Sequence, residues 1–200
     1  MDPNARRSIP VIRHTGGGGM GYKRKFNSIH LCITTYCNRN CPGCIVNAPY
    51  IKNEHMTIDS IKSLAIKMQG LRLLQISGGE PTLHPDFQHI TEHVREWFRP
   101  QMLMLITNGA KVLKYIDILG HYDHIRIPHY TEDSYPGSRD NGPTIERLKN
   151  AFRGPSMIWS KPVKHRLNRG SAERQYACGL GANDLAHVQF NRIYPCCSAF

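Results

Sequence analysis

A chain of 200 residues with 40% apolar and 20% charged side chains has the ordinary composition of one soluble globular domain with a real core. No apolar run reaches bilayer-spanning length and no signal-peptide pattern opens the chain, so a membrane or secreted reading is disfavoured and a cytoplasmic one is the default. The net charge of +11 is compatible with an acidic or nucleic-acid partner, but the basic residues are spread along the chain. Charge without a reading element does not establish nucleic-acid binding.

Residues 1–25 read as an extension. Pro3, Pro10, the run Gly16–Gly19 and Gly21 leave little to pack, and the Lys-Ser/Thr step of a phosphate-binding loop is missing. Ile29–Ile33 is the first strand candidate. It leads into Cys37, Cys41 and Cys44, three of the seven cysteines, on a loop containing Asn38 and Asn40 and the pair Pro42-Gly43. In a cytosolic chain such a group suggests metal binding before disulfides. Structural zinc takes four ligands, and so as a rule do iron–sulfur clusters. Three thiolates therefore suggest an iron–sulfur centre with one iron open to an exogenous ligand.

Thr57 is placed to cap a helix with Ile58, Ile61, Leu64, Ala65 and Met68 along one face, ending at Gly70. Leu71–Ile76 reads as a buried strand running into Gly78-Gly79-Glu80-Pro81. A second helix from near Pro85 carries Phe87, Ile90, Val94 and Trp97 or Phe98 inward, and Met102–Ile106 is a strand ending in Thr107-Asn108-Gly109. A third helix with Val112, Leu113, Ile116 and Leu119 comes next, then a strand at His124–Ile127 leading to Pro128-His129-Tyr130. Ile145, Leu148 and Phe152 mark a last helix beginning at Pro143 or Thr144, and Met157–Ser160 a fifth strand. Alternating strands and helices with apolar strands predict an α/β architecture around a parallel sheet, as an open sheet or a partial barrel.

In such folds the ligand lies at the carboxyl ends of the strands. Here those ends carry the three cysteines, Gly78–Pro81, Thr107 and Asn108, and His129 and Tyr130. Glycines there let a ligand approach the backbone, Glu80 suits an ammonium group, and Thr107 and Asn108 suit a sugar hydroxyl or carboxylate. The residues themselves thus predict a metal cluster beside a small polar ligand with an amino group.

Cys37-x-x-x-Cys41-x-x-Cys44 followed by Gly78-Gly79-Glu80-Pro81 and Thr107-Asn108-Gly109 resembles the radical S-adenosylmethionine (SAM) superfamily over about residues 26–155. The resemblance implies a partial (β/α)6-type parallel barrel. It implies a [4Fe–4S] cluster on Cys37, Cys41 and Cys44, with the fourth iron chelated by the amino and carboxylate groups of SAM. Gly78, Gly79, Glu80 and Pro81 would bind the amino group of SAM, and Thr107 and Asn108 its methionine or ribose side. His129 and Tyr130 would touch SAM or substrate, with Asp133, Tyr135, Arg139 and Asp140 as further substrate candidates. It also implies reductive SAM cleavage to a 5′-deoxyadenosyl radical, hydrogen abstraction from a peptide, sugar or nucleoside-type substrate, and an electron donor such as flavodoxin or ferredoxin. Gly43 stands where the family often has an aromatic residue, and the Cys-Pro-Gly-Cys form is similar to the small glycyl-radical activases, the alternative enzyme reading. A non-catalytic cluster or zinc protein on nucleic acid is the alternative of another class.

The segment 166–200 resembles the opening of a SPASM or twitch-type extension to a core spanning residues 26–165. Cys178 precedes a hairpin over Ala186–Phe190 and Arg192–Tyr194, with Cys196 and Cys197 after it. These three cysteines are candidates for an auxiliary iron–sulfur cluster one ligand short, and Cys32, on an inward strand position, is expected to be core. Among the eleven histidines, His84, His89 and His93 lie roughly on one helical face without a recognised zinc spacing and are read as surface or core-edge residues.

Overall fold

The computed structural model describes residues 27–41, 44, 46, 48–134, 138–151, 157–159, 185–189 and 192–194. The N-terminal extension, Gly43, Tyr135, Phe152 and the cysteines of the tail lie outside the described residues.

Strand β1 (Ser28–Thr34) is followed by helix α1 (Ile58–Lys67), β2 (Leu73–Gly78), α2 (Phe87–Phe98), β3 (Met102–Ile106), β4 (His124–Arg126), α3 (Gly142–Ala151) and β5 (Met157–Trp159). A closing hairpin is formed by β6 (Leu185–Gln189) and β7 (Arg192–Tyr194). The strands make one open sheet in the order β5-β4-β3-β2-β1-β6-β7. Every neighbouring pair is parallel except β6–β7. This is the predicted parallel α/β partial barrel, and among the described residues it does not close.

The helices form where the sequence offers an apolar stripe, and α1 also has a side-chain cap. Thr57 Oγ1 accepts from Ser60 N at the start of α1, and Ile61, Leu64 and Ala65 are buried. In α2, Phe87, Ile90, Val94 and Phe98 are fully buried, and Arg99 in the left-handed region closes the helix ahead of Pro100. The stretch Val112–His121 departs from the expected α-helix. It is 3-10 in character, with a break at Tyr115 (φ −109°, ψ 20°), whose ring packs edge-on against Phe87 at 4.9 Å.

The strands are less uniformly apolar than the sequence suggests. Ile29, Leu31, Ile33, Leu74, Ile76, Leu103, Leu105 and Ile125 form one side of the sheet, buried in a single core with the helices. By the two-residue alternation of a strand, His30, Gln75, Met104 and His124 lie on the other side. They stand in one register row, His30 opposite Gln75, Gln75 opposite Met104 and Met104 opposite His124. All four are part-exposed, while Cys32 and Ser77 nearer the strand ends on the same side are buried, so the sheet has one wholly apolar face and one largely polar face.

Candidate functional site

The chain leaves β1 through two buried threonines that anchor the loop beyond it. Thr34 Oγ1 bonds Glu54 O (3.1 Å) and His55 Nδ1 (2.9 Å) and accepts from Tyr36 N (3.0 Å). Thr35 Oγ1 donates to Lys52 O at 2.8 Å and accepts from Glu54 N at 2.8 Å. The returning segment 52–56 is therefore tied to the root of the cysteine loop, and the loop enters from a fixed point.

Cys37, Cys41 and Cys44 are part-exposed thiols on this loop, none of them in a disulfide. Burial raises the Cys37 thiol to about 11, opposed by the Arg39 N–H that its sulfur accepts. Cys32 lies beneath them, fully buried, packed with Val46 and Ala48 and touching Cys37 and Cys44. Its thiol donates to Thr34 O (3.3 Å) and burial raises it to about 12, so it is a protonated core group. That matches its expected place in the core.

The rim formed by the next two strand ends closes on this loop. Gly79 N donates to Thr34 O (2.7 Å) and Glu80 N to Tyr36 O (2.8 Å). The glycines have a structural cause that sequence reasoning missed. A Cβ on Gly78 would fall 2.3 Å from Thr34 O, and one on Gly79 2.5 Å from Tyr36 O and 2.6 Å from Thr35 O. It is the neighbouring backbone of the cysteine loop that comes too close for a side chain.

Glu80 is wholly buried. Its Oε1 accepts from Thr82 N (3.1 Å), Thr82 Oγ1 (2.5 Å) and Thr107 Oγ1 (2.6 Å), and its Oε2 from Asn108 N (2.6 Å). Burial pushes its carboxyl above the usual range, and these donors pull it back. The carboxylate braces the end of β2 against the end of β3, with Pro81 opening the short turn it caps. Thr107 Oγ1 also accepts from Gly109 N, whose φ of +84° suits glycine. Asn108 extends its Nδ2 toward Cys37 Sγ (3.7 Å) and Asn38 Oδ1 (3.0 Å). The three cysteines and the two strand-end motifs, far apart in sequence, are thus one connected rim.

His129 and Tyr130 stand at the adjoining end of β4. His129 Nε2 is 3.3 Å from Asp140 Oδ1, and the Arg39 guanidinium lies over the Tyr130 ring at 4.2 Å, linking this end to the cysteine loop. Arg39 Nη1 also reaches Arg139 O at 3.4 Å. Asp133 lies in the short turn Glu132–Ser134. The residue that joins these strand ends is Asn141. Its Nδ2 donates to Asn108 O (3.1 Å) and Pro128 O (2.9 Å), and its Oδ1 accepts from Tyr130 N (2.8 Å). Sequence reasoning passed over Asn141, whose only local signal was an Asn-Gly-Pro step at the start of α3.

The donor set fits an iron–sulfur cluster: three thiols on one anchored loop, a fourth buried below as a protonated group, and an amide beside one sulfur. Cys178, Cys196 and Cys197 lie outside the described residues. β7 is antiparallel to β6, and β6 is parallel to β1, so at Tyr194 the chain is heading away from the strand ends that hold this rim. Among the described residues no helix is long and apolar enough to cross a membrane.

A family model described as the radical SAM superfamily matches residues 31–153. A GTP 3′,8-cyclase of Actinobacillus succinogenes is 32% identical over 111 residues, covering 53% of this chain and 33% of the relative. A probable GTP 3′,8-cyclase of Methanococcus aeolicus is 26% identical over 150 residues, covering 72% of this chain and 50% of the relative. The chain thus spans at most half the length of these relatives. Among solved structures, BtrN in complex with AdoMet and 2-DOIA superimposes with a TM-score of 0.57 at 16% identity, over 87% of this chain and 74% of that one, a likeness of fold.

Proposed function

The chain belongs to the radical SAM superfamily, and from that membership we propose that it is an enzyme that reductively cleaves SAM to abstract hydrogen from a guanosine-type nucleotide. One observation carries this reading. The three-cysteine loop is hydrogen-bonded to the Gly78–Glu80 and Thr107–Asn108 strand ends, with the Asn108 amide 3.7 Å from Cys37 Sγ. Members of this family use a [4Fe–4S] cluster and SAM. When bound, the pair supplies a 5′-deoxyadenosyl radical by one-electron cleavage of the sulfonium; the protein contributes binding, orientation and exclusion of water.

Cys37, Cys41 and Cys44 would hold the cluster, giving up their thiol protons on binding it. Cys32 keeps its proton and fills space beneath. The backbone of Gly78 and Gly79 and the Asn108 side chain face the place where SAM would lie. Glu80 acts as the brace that aligns Thr107 and Asn108 with that backbone, and Pro81 directs the chain away into α2. His129 and Tyr130, held by Asp140, Arg39 and Asn141, are assigned to the far side of the same ligand or to substrate. A reductant such as flavodoxin or ferredoxin would deliver the electron. The guanosine-type substrate rests on the cyclase relatives and favours a small-molecule reading over a glycyl-radical activase. The cysteines of the tail are proposed as ligands of a separate auxiliary cluster.

Anaerobic reconstitution tests this. One cluster binds about four irons per chain and two bind about eight. Dithionite and SAM should then release 5′-deoxyadenosine, faster with GTP present. Cys41→Ala should lose the cluster absorbance and the product, while Cys32→Ala should retain both. Product formation by Cys41→Ala would overturn the cluster assignment, and indifference to GTP and other guanosine nucleotides would overturn the substrate class.

A further inference from the structure

Helix α2 has a feature on its outer side that the radical reading does not use. While Phe87, Ile90 and Val94 are buried, His89 is exposed and Glu92 and His93 are part-exposed. Residues three and four apart on a helix are surface neighbours. Here the ligand atoms of His89, Glu92 and His93 all lie within 4.8 Å of one another, and the two imidazole centroids are 4.3 Å apart.

Each of Glu92 and His93 is already held by a neighbour. The His93 ring bonds the His89 carbonyl oxygen through Nδ1 (2.9 Å), so Nδ1 carries the proton and Nε2 is left with its lone pair for a ligand. The Trp97 ring stacks on His93, 20° from parallel at 5.8 Å. Gln88 Nε2 donates to Glu92 Oε1 at 2.9 Å, holding the carboxylate one turn above. This arrangement restricts the rotamers that would otherwise oppose chelation.

We propose that His89, Glu92 and His93 form a binding site for a divalent transition cation of the zinc, nickel or copper class on the outer face of α2. Two imidazoles select borderline metals over the hard ions calcium and magnesium. Three protein ligands leave the remaining position to water. The bound ion clips two successive turns of the helix that follows the Glu80–Pro81 rim, so occupancy raises the stability of α2 by mass action.

Trp97 provides the reporter. The cluster-loaded full chain, kept anaerobic, is titrated with nickel chloride while tryptophan emission is followed. Emission should fall in a saturable way, and the Trp97→Phe variant should lose most of that fall. His89→Ala and His93→Ala, both at accessible helical positions where alanine is well tolerated, should each move the midpoint at least about tenfold to higher metal. Glu92→Gln should move it less. Far-UV circular dichroism of each variant should match the parent. A midpoint unchanged in both histidine variants, or a fall that never saturates, would overturn the site. A fall abolished by Cys41→Ala and kept in the histidine variants would assign the metal to the cysteine loop instead.

Discussion

The two faces of the sheet carry different kinds of residue. On the helix side Leu31, Leu74, Ile76, Leu103, Leu105 and Ile125 are fully buried in one apolar core. On the other side His30, Gln75, Met104, His124 and Arg126 stand part-exposed or exposed, and Ser77 Oγ is hydrogen-bonded to His30 Nε2. Parallel sheets are commonly buried on both faces. This one has a single wholly apolar face and leaves most of the other polar, apart from the buried Cys32 and Ser77 beside the rim where the cysteine loop sits. Substitutions on the first face should therefore be read in stability, and those on the second in ligand binding.

The largest effect should come from the structural face. Leu105→Ala removes buried methyl groups from a site that can relax only partly and should cost about 2–5 kcal/mol, seen as a lower urea midpoint at unchanged slope. At the rim, where both faces end, Gly79→Ala puts a Cβ 2.5 Å from Tyr36 O. It should cost about 1–3 kcal/mol and reduce iron incorporation on reconstitution, because the displaced backbone is that of the cysteine loop. Normal iron content in that variant would show that loop and rim are not coupled.

A smaller effect should appear with pH. His84 is buried, accepts from Asp86 N through Nδ1 and so carries its proton on Nε2, which donates to Met56 O. Burial holds it below the usual histidine range; the His55 ring 5.1 Å away acts in the same direction, while Asp86 and the bond to Met56 oppose it. As pH falls below about 6.5 the unfolded chain takes up this proton before the folded one, so stability is lost from there down through the depressed native value. Glu80, held above the usual carboxyl range by burial, works in the opposite sense. The difference in urea midpoint between the parent and His84→Gln should therefore shrink on acidification from pH 7 to pH 5; a constant difference would show that His84 does not titrate in that window.

The smallest effect on stability belongs to the polar face. Arg126 is exposed and its side chain has no hydrogen bond or ion pair among the described residues, so Arg126→Gln should change stability by no more than about 0.5 kcal/mol. A loss above about 1 kcal/mol would mean that this face also holds the fold together, and the contrast between the faces would fail.

Much of this was legible in the chain. The strand positions, the cap at Thr57 and the buried stripe of α2 follow from spacing alone, because helix and strand periods are local properties. The 3-10 stretch at Val112–His121 was not legible, since its apolar spacing suits a helix and the break falls at Tyr115, whose ring meets Phe87 of another element. Cys32 was placed correctly in the core, but its contact with Cys37 and Cys44 was not foreseen. Asn141 and the role of the glycines were missed for one reason: their partners, Asn108 O, Pro128 O, Thr34 O and Tyr36 O, belong to other strand ends.

By itself the sequence determined the order of the elements and the residue types at each strand end, and through Cys37, Cys41, Cys44 and Gly78–Pro81 the family. The tertiary structure decided how those ends meet. It turned Glu80 from a candidate acceptor for an ammonium group into a buried brace, made Gly79 a contact of Tyr36, and brought Asn108 to Cys37. Those outcomes depend on the register of parallel strands, which short-range pattern cannot specify because the connections between them are long.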